Sequence, residues 1–134
     1  MRGIVANDAE EAMYMARDKD QNGDSITSEH TYELHFPPGQ TPPARYFWSL
    51  TVYDQDANLM LNDYDRYAIS GNSEDLIYED DGSLRILIGG KPPEGMIGNW
   101  LPAGESFTRV TLRVYGPEKA MIERTWKPPQ LKRL

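Results

Sequence analysis

The sequence predicts an all-β protein, an antiparallel sandwich or jelly roll with one short helix near each end. Three observations support this prediction. Apolar or alternating runs recur along the chain and predict about seven or eight short strands. Turn residues separate these runs at intervals of ~8–12 residues, which is typical of antiparallel sandwiches. The run at residues 47–54 is the densest in apolar and aromatic side chains, and it predicts a central strand.

Composition and charge narrow the class of protein. The chain has 134 residues and no cysteine, so we expect one core that needs no disulfides. Its formal net charge of −7 disfavours nucleic-acid binding, because neutralising phosphates requires a basic face. No apolar run reaches the ~20 residues that a membrane-spanning helix needs, and no signal-peptide pattern is present. We therefore expect a cytoplasmic protein that binds neither nucleic acid nor membranes.

Near the N-terminus, residues 7–16 predict a short helix. Asn7 fits a helix cap, and Glu10 follows three residues later as in a capping box. Small apolar residues at helical spacing then form one stripe. We therefore expect a short helix or linker remnant at 1–17 and a single β-sandwich domain at 18–134.

An acidic turn after this helix carries the most complete motif of the sequence. It matches the calcium-loop pattern D-x-[DN]-x-[DN]-G-x5-E, in which alternating oxygen ligands surround the ion and a glutamate closes the loop. The next segment alternates as a strand, which argues against an EF-hand and favours a plain acidic hairpin turn. A calcium site stays open as the alternative, with the candidate ligands Asp18, Asp20, Asn22, Asp24 and Glu29.

Period-two alternation predicts the remaining strands. At residues 32–36 the apolar side chains face one way, while Glu33 and His35 face the other. A proline-rich segment at 37–43 marks the start of the central strand, on which neither face is plainly polar, so we expect both faces to be covered. Further strands are predicted near residues 58–62, 66–70, 76–78, 84–88 and 107–115, with a short helix at 118–124.

The sequence contains no strong catalytic motif. It lacks the nucleophile elbow G-x-S-x-G, the zinc signature H-E-x-x-H and any cysteine. Carboxylate pairs are plentiful in the turns, and two carboxylates across a cleft would suit glycoside hydrolysis. Turn acids without a catalytic role are the favoured interpretation. His35 beside Glu33 is likewise expected on a solvated strand face.

The aromatic residues suggest a ligand-binding surface, because flat rings stack on sugar faces and polar neighbours orient the sugar. Trp100, in a loop beside Asn99, is the best candidate for such a contact, although a core or loop anchor is the favoured role for this ring. Trp48 and Trp126 are expected in the core. The predicted ligand-binding residues are Trp100, Asn99, Asp54, Asn62, Arg66 and His35.

Several phrases of the sequence, at residues 32–37, 47–54, 66–69, 99–103 and 125–129, resemble one bacterial family. Over about residues 3–133 the chain is similar to the domain-of-unknown-function family numbered 1214, whose members usually follow a domain of family 1254. The resemblance implies an antiparallel β-sandwich of jelly-roll type and no established activity. The turn at 24–28 departs from the family pattern, because it lacks a second glycine.

Three functions follow as hypotheses. A non-catalytic binding or interaction module, for a glycan or a protein partner, is favoured, and it should show an aromatic-lined groove near Trp100. A carboxylate- or metal-dependent hydrolase-like enzyme should instead gather carboxylates and His35 in one pocket with shifted pKa values. A homo-oligomerisation domain should bury a large apolar patch between chains.

Overall fold

A computed structural model of the chain shows an all-β fold built from two sheets. It describes residues 4–8, 12–54, 68–103 and 107–134, with the backbone alone at 4–8, 54, 107 and 108. The predicted strand near 58–62 therefore lies outside the described residues. The strands are β1 Ile4–Asp8, β2 Ala12–Arg17, β3 Tyr32–Phe36, β4 Ala44–Asp54, β5 Ala68–Ser70, β6 Leu84–Ile88, β7 Trp100–Leu101, β8 Phe107–Pro117 and β9 Lys132–Arg133.

The strand order of the larger sheet is β1-β2-β8-β4-β5, and that of the smaller sheet is β7-β6-β3-β9. The pairings are antiparallel except for β6 with β7, which run parallel. The long strands β4 and β8 pair from Ala44 opposite Pro117 to Asp54 opposite Phe107. The predicted central strand is confirmed, because β4 lies inside its sheet between β8 and β5.

The apolar core lies between the two sheets. Phe36 of β3 meets Trp48 of β4 across the core, with ring centroids 5.7 Å apart. Alternation decides which side chains enter this core, because successive residues of a strand point to opposite faces. On β4 and β8 the buried apolar residues are Trp48, Leu50, Val52, Val110, Leu112 and Val114.

The predicted N-terminal helix is wrong, because residues 12–17 form β2. This strand pairs with β8 from Ala12 opposite Tyr115 to Arg17 opposite Val110. Its burial alternates with period two, and Met13 and Met15 enter the core. A short stripe of small apolar residues cannot hold a helix alone, so pairing with β8 overrides the capping signal. The division of the chain into 1–17 and 18–134 stays a prediction, although β2 contributes to the same core as β4 and β8.

One helical turn, α1, spans Lys119–Ile122, within the segment where a short helix was predicted. Arg124 follows it with a φ of 61°, a left-handed conformation that commonly ends helices. Beyond this point Trp126 stacks on Phe36 with ring centroids 6.5 Å apart, and Leu131 is buried in the core. The C-terminal segment therefore covers one side of the space between the sheets. None of the described helices is long and apolar enough to cross a membrane.

Candidate functional site

Trp100, the best candidate for a ligand contact, is an internal side chain. Only 1% of its surface is exposed, and its Nε1 donates to the backbone oxygen of Gly89 at 2.9 Å. Gly89 itself has a φ of 83°, the left-handed region that favours glycine. Trp100 thus ties the loop that ends at residue 100 to the end of β6, and a ligand contact of this ring stays a prediction.

Asn99 is buried as deeply as Trp100 and acts as a structural clamp. Its Oδ1 accepts from the backbone N–H of Ile77 at 2.9 Å, and its Nδ2 donates to the Ile77 oxygen at 2.7 Å. The same Nδ2 donates to the backbone oxygen of Arg85 at 2.9 Å. These bonds tie the segment after β5 to β6, and they occupy the amide that was predicted to orient a ligand.

His35 is exposed on β3, and no catalytic pair forms with Glu33. The Glu33 carboxylate instead accepts from Arg85 Nε at 2.7 Å. The pKa of nearby Asp81 is lowered first by a hydrogen bond from the Ser83 side chain, then by the Ser83 backbone N–H, and less by the charge of His35. Because Asp81 is fully exposed, this shift reports a well-bonded turn and not an enclosed pocket.

The remaining predicted ligand-binding residues, Asn62 and Arg66, lie outside the described residues, as does the side chain of Asp54. Of the six predicted ligand-binding side chains, the structure describes those of Asn99, Trp100 and His35. Asn99 and Trp100 are buried chain neighbours, and His35 is exposed on β3, so these three do not line a common cleft.

The acidic segment at 18–29 forms a tight hairpin turn. Lys19 and Ser25 form an antiparallel bridge, and the Ile26 N–H donates to the Asp18 backbone oxygen at 3.0 Å. Inside the turn, Asp20 Oδ1 accepts from the N–H groups of Asn22 and Asp24 at 2.8 and 3.2 Å. These bonds are those of a self-contained acidic turn, the favoured interpretation of this motif.

The fit of this hairpin to calcium is incomplete. Asp20 is 6% exposed and its Oδ2 has no hydrogen-bond partner, so one carboxylate oxygen is free to bind an ion. Calcium needs six to eight oxygen ligands. No group of three acidic or histidine side chains gathers tightly enough to hold a metal ion in the part of the chain that the structure describes. The residues therefore do not form a ready calcium site in this conformation, and calcium binding stays a prediction.

The calcium hypothesis predicts a higher melting temperature in millimolar calcium, because a ligand that binds only the folded state stabilises it, by about 2.7 kcal/mol at 100 times Kd. Scanning fluorimetry measures this shift, with magnesium as the ionic control. The variant Asp20→Asn should lose the shift, because it removes the charge of the one carboxylate oxygen that lacks a hydrogen bond. If calcium left the melting temperature of the wild type unchanged, this result would contradict the calcium hypothesis.

Arg17 is a buried titratable group that lines an internal cavity. Burial lowers the pKa of its guanidinium, and its Nε has no hydrogen-bond partner. It lines a cavity of about 10 Å³ together with apolar residues such as Leu34, Leu50 and Leu131. Such a volume holds about one water molecule, so it is too small for a substrate.

A surface groove of about 660 Å³ lies beside α1, between the 39–44 loop and the segment 118–127. Its lining is mixed in polarity, and among the described residues it carries one carboxylate, Glu118, and no histidine. A two-carboxylate mechanism therefore has no second partner in this lining. The lining residues are Gly39, Gln40, Thr41, Pro42, Pro43, Ala44, Glu118, Ala120, Thr125, Trp126 and Lys127.

Hydrogen bonds hold the two walls of this groove together. The N–H of Glu118 donates to the Pro43 oxygen at 3.0 Å, and Trp126 Nε1 donates to the Gln40 oxygen at 3.0 Å. The N–H groups of Thr125 and Trp126 both donate to the Ala120 oxygen, which fixes the turn after α1. Hydrogen bonds within the protein thus hold the shape of the groove.

Sequence reasoning missed this groove. It treated the prolines at 37–43 as the boundary of a strand and Trp126 as a core residue. A proline-rich loop and a tryptophan followed by two prolines were the available signals. Nothing local in the sequence shows that these segments, which are 86 residues apart at Gln40 and Trp126, form one surface.

The solved structures that resemble this chain include those of two bacterial proteins. One is the VPA0106 protein from Vibrio parahaemolyticus, with 26% identity and a TM-score of 0.81 over 94% of this chain and 31% of that protein. The other is an uncharacterised protein from Burkholderia cenocepacia, with 18% identity and a TM-score of 0.57 over 97% of this chain and 31% of that protein. The chain thus spans about a third of the length of either structure.

Comparison with proteins of curated function found no match. A family model described as a protein of unknown function, DUF1214, matches residues 11–119, which is most of the 134-residue chain. The match includes the long strands β4 and β8 and the strands that pair with them. The chain therefore belongs to the DUF1214 family.

Proposed function

We propose that this chain is a non-catalytic binding module, and that the groove beside α1 takes an extended segment of a partner protein. The groove itself is the observation that carries this proposal. Its volume of about 660 Å³ falls within the range of ~300–1,000 Å³ that is usual for ligand sites. Its bonded walls keep it open without a ligand, so little ordering would oppose binding.

The lining favours a peptide over other ligands. Pro42, Pro43 and Trp126 supply flat apolar surface, as in grooves that recognise extended segments. Glu118 and Lys127 place opposite charges in the same lining, which suits a segment that carries both signs. Gln40 and Thr41 add polar groups that can orient a backbone.

The fold proposed for this module is a β-sandwich of jelly-roll type. The position of the core between two sheets, with Phe36 meeting Trp48 across it, supports this proposal. The hydrolase-like alternative has less support. His35 is exposed on β3 and does not line the groove, and the groove lining carries a single carboxylate.

Selection from a random peptide display library would test the proposed groove. Peptides selected by the wild type should bind Ala120→Arg at least about tenfold more weakly, because an arginine side chain would occupy the groove. A tenfold loss of affinity corresponds to about 1.4 kcal/mol, which is the size expected when a few good contacts are lost. The matched control is Ile122→Arg, which adds the same charge on the same helical turn at a residue outside the lining.

The control variant should bind like the wild type, and both variants should keep the wild-type melting temperature within a few degrees. Peptides that bind both variants equally would show that the groove is not the site. A sugar array is screened in parallel. If no peptide is selected but a glycan binds the wild type and binds Ala120→Arg more weakly, the groove would be assigned to a glycan instead.

A further inference from the structure

The outer face of the larger sheet, directed away from the core, carries a cluster of rings and cations. On β2, β4 and β8 the core side chains alternate with a second set that points outward. Six of these outward residues, all half-buried, form what we call the Tyr–Arg face: Tyr14, Phe47, Tyr53, Arg109, Arg113 and Tyr115.

Arg113 is held in place at the centre of this face. Its guanidinium carbon lies 5.9 Å from the ring centroid of Tyr14 and 5.6 Å from that of Tyr53. One terminal nitrogen donates to Thr51 Oγ1 at 3.1 Å. Cation–π contacts of this kind fix the plane of the guanidinium, so its remaining N–H groups point in a defined direction.

Among the side chains that the structure describes, no acid forms an ion pair with Arg113. The ion pairs of the described residues are Arg85 with Glu33, Lys119 with Glu123 and Arg133 with Asp24, and none lies on the Tyr–Arg face. The described outward positions of β2, β4, β5 and β8 include no carboxylate side chain. In a chain of net charge −7, this face is therefore a local cationic surface, and its complement is an anion.

The aromatic rings and the serine hydroxyls of this sheet face indicate which class of anion it would bind. Phe47 and Tyr115 stack on each other with 4.5 Å between ring centroids, so the outer faces of this pair are the apolar platform beside Arg113. The neighbouring row of outward residues runs in register across four strands and consists of Tyr14, Arg113, Ser49 and Ser70. At ~4.8 Å between strands, this row is roughly 14 Å long.

We propose that the Tyr–Arg face binds an acidic saccharide, such as a chain of uronic acid residues. The rings stack on sugar faces, and the serine hydroxyls bond to sugar hydroxyls. The Arg113 guanidinium donates two parallel hydrogen bonds to the sugar carboxylate. An acidic peptide would use the arginines but not the stacked Phe47–Tyr115 platform. This site is separate from the groove and does not depend on its function.

Titration calorimetry with an oligogalacturonate as the probe tests this site. We expect saturable binding of this oligomer and at least about tenfold weaker binding of a neutral galactose oligomer of equal length, because one charge-assisted bidentate pair is worth a factor of this size. Arg113→Gln should weaken binding at least about tenfold. Arg113→Lys, which keeps the charge but loses the fork, should be intermediate.

Two further variants keep the test decisive. Arg133→Gln removes the same charge from β9 of the other sheet and should leave binding unchanged. Ser49→Glu places an acid opposite Arg113 and should abolish binding without touching the arginine. Each variant is first checked for the wild-type melting temperature.

Three results would overturn the proposal. The first is a wild type that does not bind the oligogalacturonate. The second is equal binding by the wild type and by both Arg113→Gln and Ser49→Glu. The third is binding of an oligoglutamate peptide as tight as that of the saccharide, which would assign the face to an acidic protein segment.

Discussion

Replacing Trp100 with alanine is expected to lower the free energy of unfolding by about 3–5 kcal/mol. The indole is 1% exposed and lies among the fully buried side chains, so truncation leaves a cavity that its neighbours cannot fill. It also removes the donor to the Gly89 oxygen, and an unsatisfied buried carbonyl costs a further ~1–3 kcal/mol. Urea denaturation with linear extrapolation measures the change.

Trp100→Phe provides the matched comparison. It keeps an aromatic ring in the space but removes the Nε1–H donor, so its loss should be clearly smaller than that of the alanine variant. A loss under ~1 kcal/mol for Trp100→Ala would contradict the anchor role.

The second large effect is expected for Trp48→Ala, at about 3–5 kcal/mol of unfolding free energy. Trp48 is 5% exposed and contacts Phe36 across the core. Its indole also packs directly on Gly71, where a Cβ would collide with Nε1. The surrounding backbone is therefore shaped to this ring, and a small residue leaves a void between the sheets.

Tyr46→Ala on the same strand is the control for Trp48→Ala. Tyr46 is 67% exposed, so its truncation should change the free energy of unfolding by no more than ~0.5 kcal/mol. Both variants are measured in the same denaturant series. If the two losses were equal, the ring of Trp48 would not be part of the core.

The strands that the sequence predicted well are those with period-two patterns. On β3 and along the middle of β4 and β8, every second residue is apolar, and these apolar residues are buried in the core. The pleat of a strand is a local property of the backbone, and alternation reports which face is covered. This is why the positions of Phe36, Leu50 and Leu112 in the core could be predicted from sequence.

The N-terminal segment shows the opposite case. Its capping residues and small apolar stripe are local signals for a helix, yet residues 12–17 pair with β8. Helix signals of this size stabilise little without packing, whereas a place between β1 and β8 satisfies the backbone hydrogen bonds on both sides of the strand. Only the partner strand, far along the chain, decides between the two states.

For the candidate sites too, the sequence indicates residue types, but only the structure shows their surroundings. The sequence identified Trp100 and Asn99 as unusual, but a residue type does not reveal whether its side chain points to solvent or to the core. The groove and the Tyr–Arg face unite residues from distant segments, such as Gln40 with Trp126 and Tyr14 with Arg113. Their chemistry depends on distances that no local pattern encodes.

The all-β class, the family and the faces of the alternating strands could be predicted from the sequence, because these follow from local periodicity and recurring phrases. Only the three-dimensional structure shows that Trp100 is buried and bonded to Gly89, that residues 12–17 are a strand, and that Arg113 stands between two tyrosines. The physical reason is that burial and long-range pairing arise from contacts between segments that are remote in the chain.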